Sequence, residues 1–420
     1  MAMTTLRNPI RSADSVRLVN FFNGRLLSGE DLTHEQSAQI EARRQLGLAM
    51  GTGIVNGLTV SERKGQLQPT LRMTAGTALN TNGVSLTLYD DVDVTLTDGG
   101  EEAVESGTGA FAPCAGTRVT AQLAGTDVYL LVLCPAEMSE GRAPVSGLAN
   151  IDAGCNTRYT VETVQFRLIA LKASAADLAK PLLVQNRVAM GCIEPAFALD
   201  APFGNPTADT GYLAKLREKG ELTICDVPLA TIFWMADKGI QFVDMHTVRR
   251  RLHPAKQTFA WSSFYDDHHI AEREARFLQF QDQIEARYDL PSPGTLRAAD
   301  YFHELPAAGV IPLASTRWPI GFSEAAFFAG MTLRNQVGTT PNIIEGAQIE
   351  NLIAASFHFP PIQVESKVLV WSYRVRENRQ AVAGPLASEP QEYLVFANGH
   401  MPFMGDARYD VNRWAYSNFS

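Results

Sequence analysis

The run Val128-Tyr129-Leu130-Leu131-Val132-Leu133 constrains this chain more than any other stretch. Six consecutive apolar residues carry neither the 3.6-residue period of a surface helix nor the alternation of a half-exposed strand. They read as a strand buried on both faces, so structure must lie above and below the sheet that holds it. It is also the longest apolar run, far short of the ~20 residues a bilayer span needs. A chain of 420 residues exceeds what one core organises and is expected to form roughly two to four domains. The hydrophobic fraction of 45% and charged fraction of 19% describe folded, slightly charge-poor protein. Two origins are open for the low charge: surface hidden against partners, or plain Ala and Gly richness.

The net charge of −9 and pI near 5.5 argue against a whole-chain nucleic-acid binder, which needs concentrated Lys and Arg. Arg249-Arg250-Arg251, with Arg273 and Arg276 further on, lies in helical-looking sequence and reads as a solvated face or local ion pairs. Cys114, Cys134, Cys155, Cys192 and Cys225 are odd in number and lack any CxxC spacing. They fit neither a zinc knuckle nor a disulfide framework, and a reducing compartment is the simpler expectation. The stretch after Met1 lacks the apolar core of a signal peptide, so synthesis and assembly in the cytoplasm are expected.

A strand candidate at 16–22 leads into the turn pair Asn23-Gly24. Ser28, with Asp31 three residues later, reads as a capping box opening a helix over about 30–50. Ala38, Ala42, Leu46 and Ala49 form a narrow stripe along it, and Gly51 and Gly53 end it. The period then changes to two. Strands are expected at 54–60, 67–73, 84–88 and 92–96, parted by Gly65, Gly76 and Asn82-Gly83, with a loop at 98–116. A Gly- and Ser-containing stretch at 136–154 marks a domain boundary. Further strands are expected at 159–171, with one irregularity in alternation, and at 182–193, 229–234 and 239–243. The clearest helix spans 264–288, with Ile270, Phe277 and Ile284 as its buried stripe, and Pro291 and Pro293 stop it. Short helices at 322–330 and 346–357 and strands at 368–375 and 392–397 follow. The last twenty residues carry Phe403, Tyr409, Trp414, Tyr416 and Phe419, more apolar area than a solvated tail would hold, and these are candidate interaction residues.

The fold class expected is α+β, mixed and multidomain. It comprises an antiparallel, β-rich N-terminal domain with one long helix at 1–135 and a mixed β/α domain at 155–255. A helical region at 256–365 and a small β-rich C-terminal region at 366–420, with its aromatic tail, complete it.

Tests for catalytic constellations fail one after another. Gly51-x-Gly53-x-x-x-Gly57 misses the dinucleotide spacing by one residue and sits between a helix and a strand, so no helix N-terminus faces a pyrophosphate. His34-Glu35 and His303-Glu304 begin like a zincin motif, but Ala38 and Ala307 stand where the second imidazole belongs. Asp266-Asp267-His268-His269 is the richest polar cluster. Asp266, His268 and His269 are candidate metal ligands for a metal-dependent hydrolase, while capping of the helix that follows is the simpler role for the acids. Asp244 reads as an N-cap. Trp261, Trp318, Trp371 and Trp414 are able to stack on sugar rings in a glycan-binding module, although each also suits a core. No cofactor is expected.

The stretch from Asn20 to Leu32, NFFNGRLLSGEDL, followed by Glu35-Gln36 and by GIVNGLTV at 53–60, resembles a family of uncharacterised proteins found beside the baseplate genes of phage-tail-like contractile injection systems. Residues 226–230, 239–244, 248–251, 370–375 and the tail from Asn398 onward are similar too. Asn23, Gly24, Arg25, Ser28, Asp31, Gly53 and Gly57 then form a strand–turn–helix–turn–sheet motif, with Arg25 braced by Glu30 or Glu35. The resemblance implies a particle component at the baseplate, spike cage or peripheral appendage. It would have several symmetric copies and neighbouring particle proteins as partners. It implies no catalysis, no nucleic acid and no membrane insertion.

Overall fold

A computed structural model of the chain describes residues 16–98, 119–123, 125–144, 155–193, 211–252, 268–287, 295–313, 322–357, 359–364, 367–376 and 393–398. The first part comprises α1 (Gly29–Met50), β1 (Gly53–Gly57), β2 (Val60–Glu62), β3 (Thr70–Met73), β4 (Gly76–Leu79), β5 (Ser85–Leu88), β6 (Val92–Asp98) and β7 (Val119–Leu123). It continues with β8 (Asp127–Pro144), β9 (Cys155–Ala170), α2 (Ala175–Leu178), α3 (Pro181–Cys192), α4 (Tyr212–Glu218), β10 (Val227–Met235) and β11 (Gly239–Asp244). The second part begins with α5 (His268–Glu285), α6 (Ala298–Tyr301), β12 (Glu304–Leu305), β13 (Ala308–Pro312), α7 (Glu324–Phe327), β14 (Thr332–Arg334) and β15 (Gln336–Val337). It ends with β16 (Thr340–Pro341), β17 (Ile343–Glu345), α8 (Ile349–Ser356), β18 (Ile362–Gln363), β19 (Leu369–Arg376) and β20 (Tyr393–Ala397). The fold is mixed α+β and multidomain, with its sheets mostly antiparallel.

The apolar run behaves as its composition requires. β8 lies inside the four-stranded sheet β11-β10-β8-β9. Its alternate residues Tyr129, Leu131 and Leu133 enter one core, shared with the β2-β3-β6-β7 and β1-β4-β5 sheets. Val128, Leu130 and Val132 enter another, against Val184, Val188 and Cys192 of α3 and Leu213 and Leu216 of α4. The first core joins side chains from residues 54–96 to others from residues 227–240. The β8–β9 register runs from Tyr129↔Ala170 to Pro144↔Cys155 without a shift, so the expected irregularity in β9 is absent. Only residues 127–133 of β8 also pair with β10, so beyond Leu133 the β8 and β9 strands form a ribbon of their own.

In the second part β13-β20-β19-β14 form a sheet, with β17 also pairing β19. One face packs Leu394, Phe396, Val370 and Ile311 against Phe280 and Ile284 of α5, Phe302, Phe327 and Phe328. The other packs Tyr373, Val395 and Ala397 against Leu352 of α8.

Several expected elements are corrected. Residues 182–193 form helix α3, not a strand. Pro181 occupies its first turn, where the missing N–H costs nothing. The strand expected at 54–60 breaks at Leu58, whose φ is 53°, and Gly76 opens β4 instead of parting two strands. Residues 16–22 pair with no strand among the described residues. The helix at 322–330 shrinks to Glu324–Phe327. Residues 245–252 are not helical: Asp244 Oδ1 accepts from the N–H groups of His246 and Thr247 and closes a turn. The loop expected at 98–116 falls outside the described residues after Asp98.

Candidate functional site

Of the predicted N-terminal motif the turn, the capping box and the two glycines are in place, while its leading strand is not formed and the partner of Arg25 is different. The Ser28 hydroxyl accepts from the Asp31 N–H, while Asp31 Oδ2 accepts from the Ser28 N–H, so the capping box is reciprocal. Arg25 pairs with Asp31 Oδ1, not with Glu30 or Glu35, and donates to Asn20 O at 2.8 Å. Its guanidinium stands 6.0 Å from the Phe22 ring centroid. The Ser28 N–H and hydroxyl, then Arg25, hold Asp31 below the ordinary carboxylate range. Asn23 and Gly24 make the turn, Gly24 with a φ of 88° that suits glycine. Residues 16–28 thus form an ordered hook closed on the start of α1.

The hook exposes apolar side chains. Leu18, Phe21, Phe22, Leu26, Leu27 and Leu32 are each between 52% and 94% exposed. Along α1 only Ala38 and Gly47 are buried, so most of the expected small-residue stripe stays in solvent. Among the described residues, the side-chain hydrogen bonds of residues 16–43 run only to partners within residues 20–45. Contact with the body is made at the C-terminal end. There Arg44 donates to Asn82 Oδ1, and Gly47 lies so close to Gly83 that a Cβ would fall 2.1 Å from its carbonyl oxygen.

After α1, Gly53 and Gly57 hold the entry into β1, as the motif requires. A Cβ on Gly53 would lie 2.4 Å from Arg251 O, and one on Gly57 would lie 1.9 Å from Ala75 O. Arg249, expected on a solvated helical face, instead donates through its two Nη groups to the carbonyls of Gly57 and Leu58, and burial lowers its pKa. It clamps the carbonyl of a residue held at positive φ.

Beside the Arg251–Glu274 ion pair, two of the polar groups that connect the first part of the chain to the second are largely buried. Asn186 of α3, only 1% exposed, accepts at Oδ1 from the N–H groups of His303 and Glu304 at 2.8 and 3.0 Å. Its Nδ2 donates to Gln279 Oε1 at 3.2 Å. Gln279 donates to Gln283 Oε1 at 2.6 Å, and Gln283 to Tyr301 O at 3.0 Å. Beside this relay Arg276 pairs with Glu272 and Glu304, all three largely buried. The second group is His246, whose Nε2 lies 3.5 Å from Asp282 Oδ2 on α5. Burial opposes its charge, but the Asp282 hydrogen bond and the charges of Asp244 and Asp282 outweigh that, and its pKa rises. Asp244 itself is fully buried and pushed up by desolvation. The pairings of Asn186 with His303, Glu304 and Gln279, of Arg276 with Glu304 and of His246 with Asp282 were not visible in the sequence, since those partners lie far apart along the chain. Arg276–Glu272, in contrast, is a local ion pair of the kind expected there.

Of the candidate metal ligands, Asp266 lies outside the described residues, and His268 and His269 open α5 at backbone level. Among the described residues no three His, Cys, Asp or Glu side chains gather as a metal cluster. Cys134, Cys192 and Cys225 form no disulfide among the described residues. Trp371 lies beneath Arg334 at 5.6 Å, while Trp261, Trp318 and Trp414 fall outside the described residues, as do Phe403, Tyr409, Tyr416 and Phe419. Among the described residues no helix is long and apolar enough to cross a membrane.

No family profile and no curated protein sequence matches the chain. Among solved structures it is similar to a crystal structure of TssK, with 12% identity and a TM-score of 0.22 over 38% of this chain. The match spans 36% of the TssK chain, and a likeness of this size is local and carries no functional weight. The distinctive surface remains the hook with α1: ordered, apolar and, among the described residues, without a covering element.

Proposed function

We propose that this chain is a structural component of a contractile, phage-tail-like injection particle, set at its baseplate, spike cage or a peripheral appendage, and that it catalyses no reaction. Its partners are other particle proteins and further copies of itself. It is synthesised and assembled in the cytoplasm and then becomes part of a particle that is released or attached to the envelope. The single observation behind this reading is the hook and α1, where six large apolar side chains stand in solvent on a segment fixed by a capping box and Arg25. An apolar patch held in shape is the mark of a docking element, because water penalises it until a partner covers it. The resemblance of the same stretch, residues 20–32, to baseplate-associated proteins supports the particle as the larger body.

The test is co-sedimentation of the tagged full chain with sheath and tube proteins from particle-producing cells. The wild type is expected in the particle fraction. Phe21→Ser with Phe22→Ser should remove it without changing its thermal midpoint. A wild-type chain that never travels with sheath and tube would overturn the proposal.

A further inference from the structure

At 1.5 Å per residue the 22 residues of α1 span about 33 Å. The hook ends 19 residues, about 28 Å of helix, before Gly47, where α1 meets Gly83. At ~150–250 Å² for each large side chain, the six exposed residues present roughly 600–900 Å² of apolar surface. That exceeds the ~300–600 Å² of an ordinary largest patch and matches the ~800 Å² per partner of a standard stable interface.

The helix offers a self-complementary seam. Leu32, Gln36, Gln39, Arg43, Leu46 and Met50 recur at spacings of 4, 3, 4, 3 and 4, and all six are exposed. Two such seams laid parallel would set Arg43 against Arg43. Laid antiparallel about a two-fold axis near Glu41, they set Leu32 on Met50, Gln36 on Leu46 and Gln39 on Arg43, with no like charges opposed. The same arrangement carries each hook to the body end of the other helix, where Leu48, Met50 and Val55 are exposed. An isologous contact of this kind closes on itself.

We infer that the occupant of the hook and α1 is a second copy of this chain, paired antiparallel through the seam that runs from Leu32 to Met50. The inference rests on the reading of this segment as a docking element and names its partner. Light scattering on the purified full chain, across a dilution series, tests it. Leu32→Glu places an acid in the first turn and Met50→Lys a base in the last, both favoured by the helix dipole, so neither weakens α1 itself. Each single variant should raise the dimer dissociation constant at least tenfold, with an unchanged circular dichroism spectrum. The double variant sets the introduced acid against the introduced base only in the antiparallel pair, and it should return the constant to within a few-fold of wild type. A monomeric wild type, or a double variant no better than the singles, overturns the pairing. If the monomeric chain still sediments with sheath and tube, the pairing alone falls. If a dimer never does, the particle reading alone falls.

Discussion

Asn186→Ala should be the most costly single truncation near the contact between α3 and α5. The relay from Asn186 through Gln279 and Gln283 has a fixed sense. It begins at two N–H groups, which only an acceptor satisfies, and ends on the Tyr301 carbonyl, which only a donor satisfies. Removing the carboxamide leaves the His303 and Glu304 N–H groups and Gln279 Oε1 without their partner. Each orphaned group costs about 1–3 kcal/mol, so the three together are expected to cost roughly 3–9 kcal/mol, a large share of ordinary stability. Asn186→Asp preserves the shape but demands a donor from Gln279. That flips both glutamines and turns Gln283 Oε1 toward Tyr301 O, so it should cost nearly as much. Urea denaturation followed by tryptophan fluorescence and by far-ultraviolet circular dichroism measures both variants. If either loses less than about 1 kcal/mol, the relay is not holding the contact and the reasoning fails.

Arg249→Gln should cost about 2–3 kcal/mol in the same assay, since two carbonyls beside a residue at positive φ lose a charged donor. Arg249→Lys, which reaches only one of them, should recover less than half, and full recovery would refute the two-pronged clamp. For His246 the folded pKa is raised, so its contribution is complete below the ordinary histidine value of ~6.5 and is lost as pH rises through the folded value. The gap in thermal midpoint between wild type and Asp282→Asn should therefore be widest near pH 6 and narrow toward pH 9. Asp244, also raised, adds a loss of the same sign to both proteins, and a gap that widens with pH would contradict the assignment.

Local signals were the legible ones. The capping box of Ser28 and Asp31, the turn at Asn23-Gly24 and the double burial of residues 128–133 depend on neighbours or on composition, and each is where the sequence placed it. α3 reads wrongly from its sequence because Leu182, Leu183, Val184 and Val188 resemble a buried strand, whereas the deciding signal is Pro181 at the first helical position. Arg249 could not be read at all: its acceptors Gly57 and Leu58 lie 192 and 191 residues away, and nothing in an arginine triplet announces a backbone clamp. Residues 16–22 have the composition of a strand but pair with no strand among the described residues, so propensity alone did not make one there.

The β8–β9 ribbon has a consequence for how this protein stays soluble. Past Leu133 it continues for about ten residues per strand, some 33 Å at the usual strand rise. Two strands with no third beside them among the described residues present two open edges, each able to recruit a stray strand from solution. Glu137, Glu140, Arg142, Arg158 and Glu162 all stand exposed along this length, and Glu137 faces Glu162 directly across the pair. A stray strand adding to either edge would have to seat its own side chains beside these charges. The ribbon is thereby guarded along its length by charged residues, of which Glu137 and Glu162 work against its own pairing.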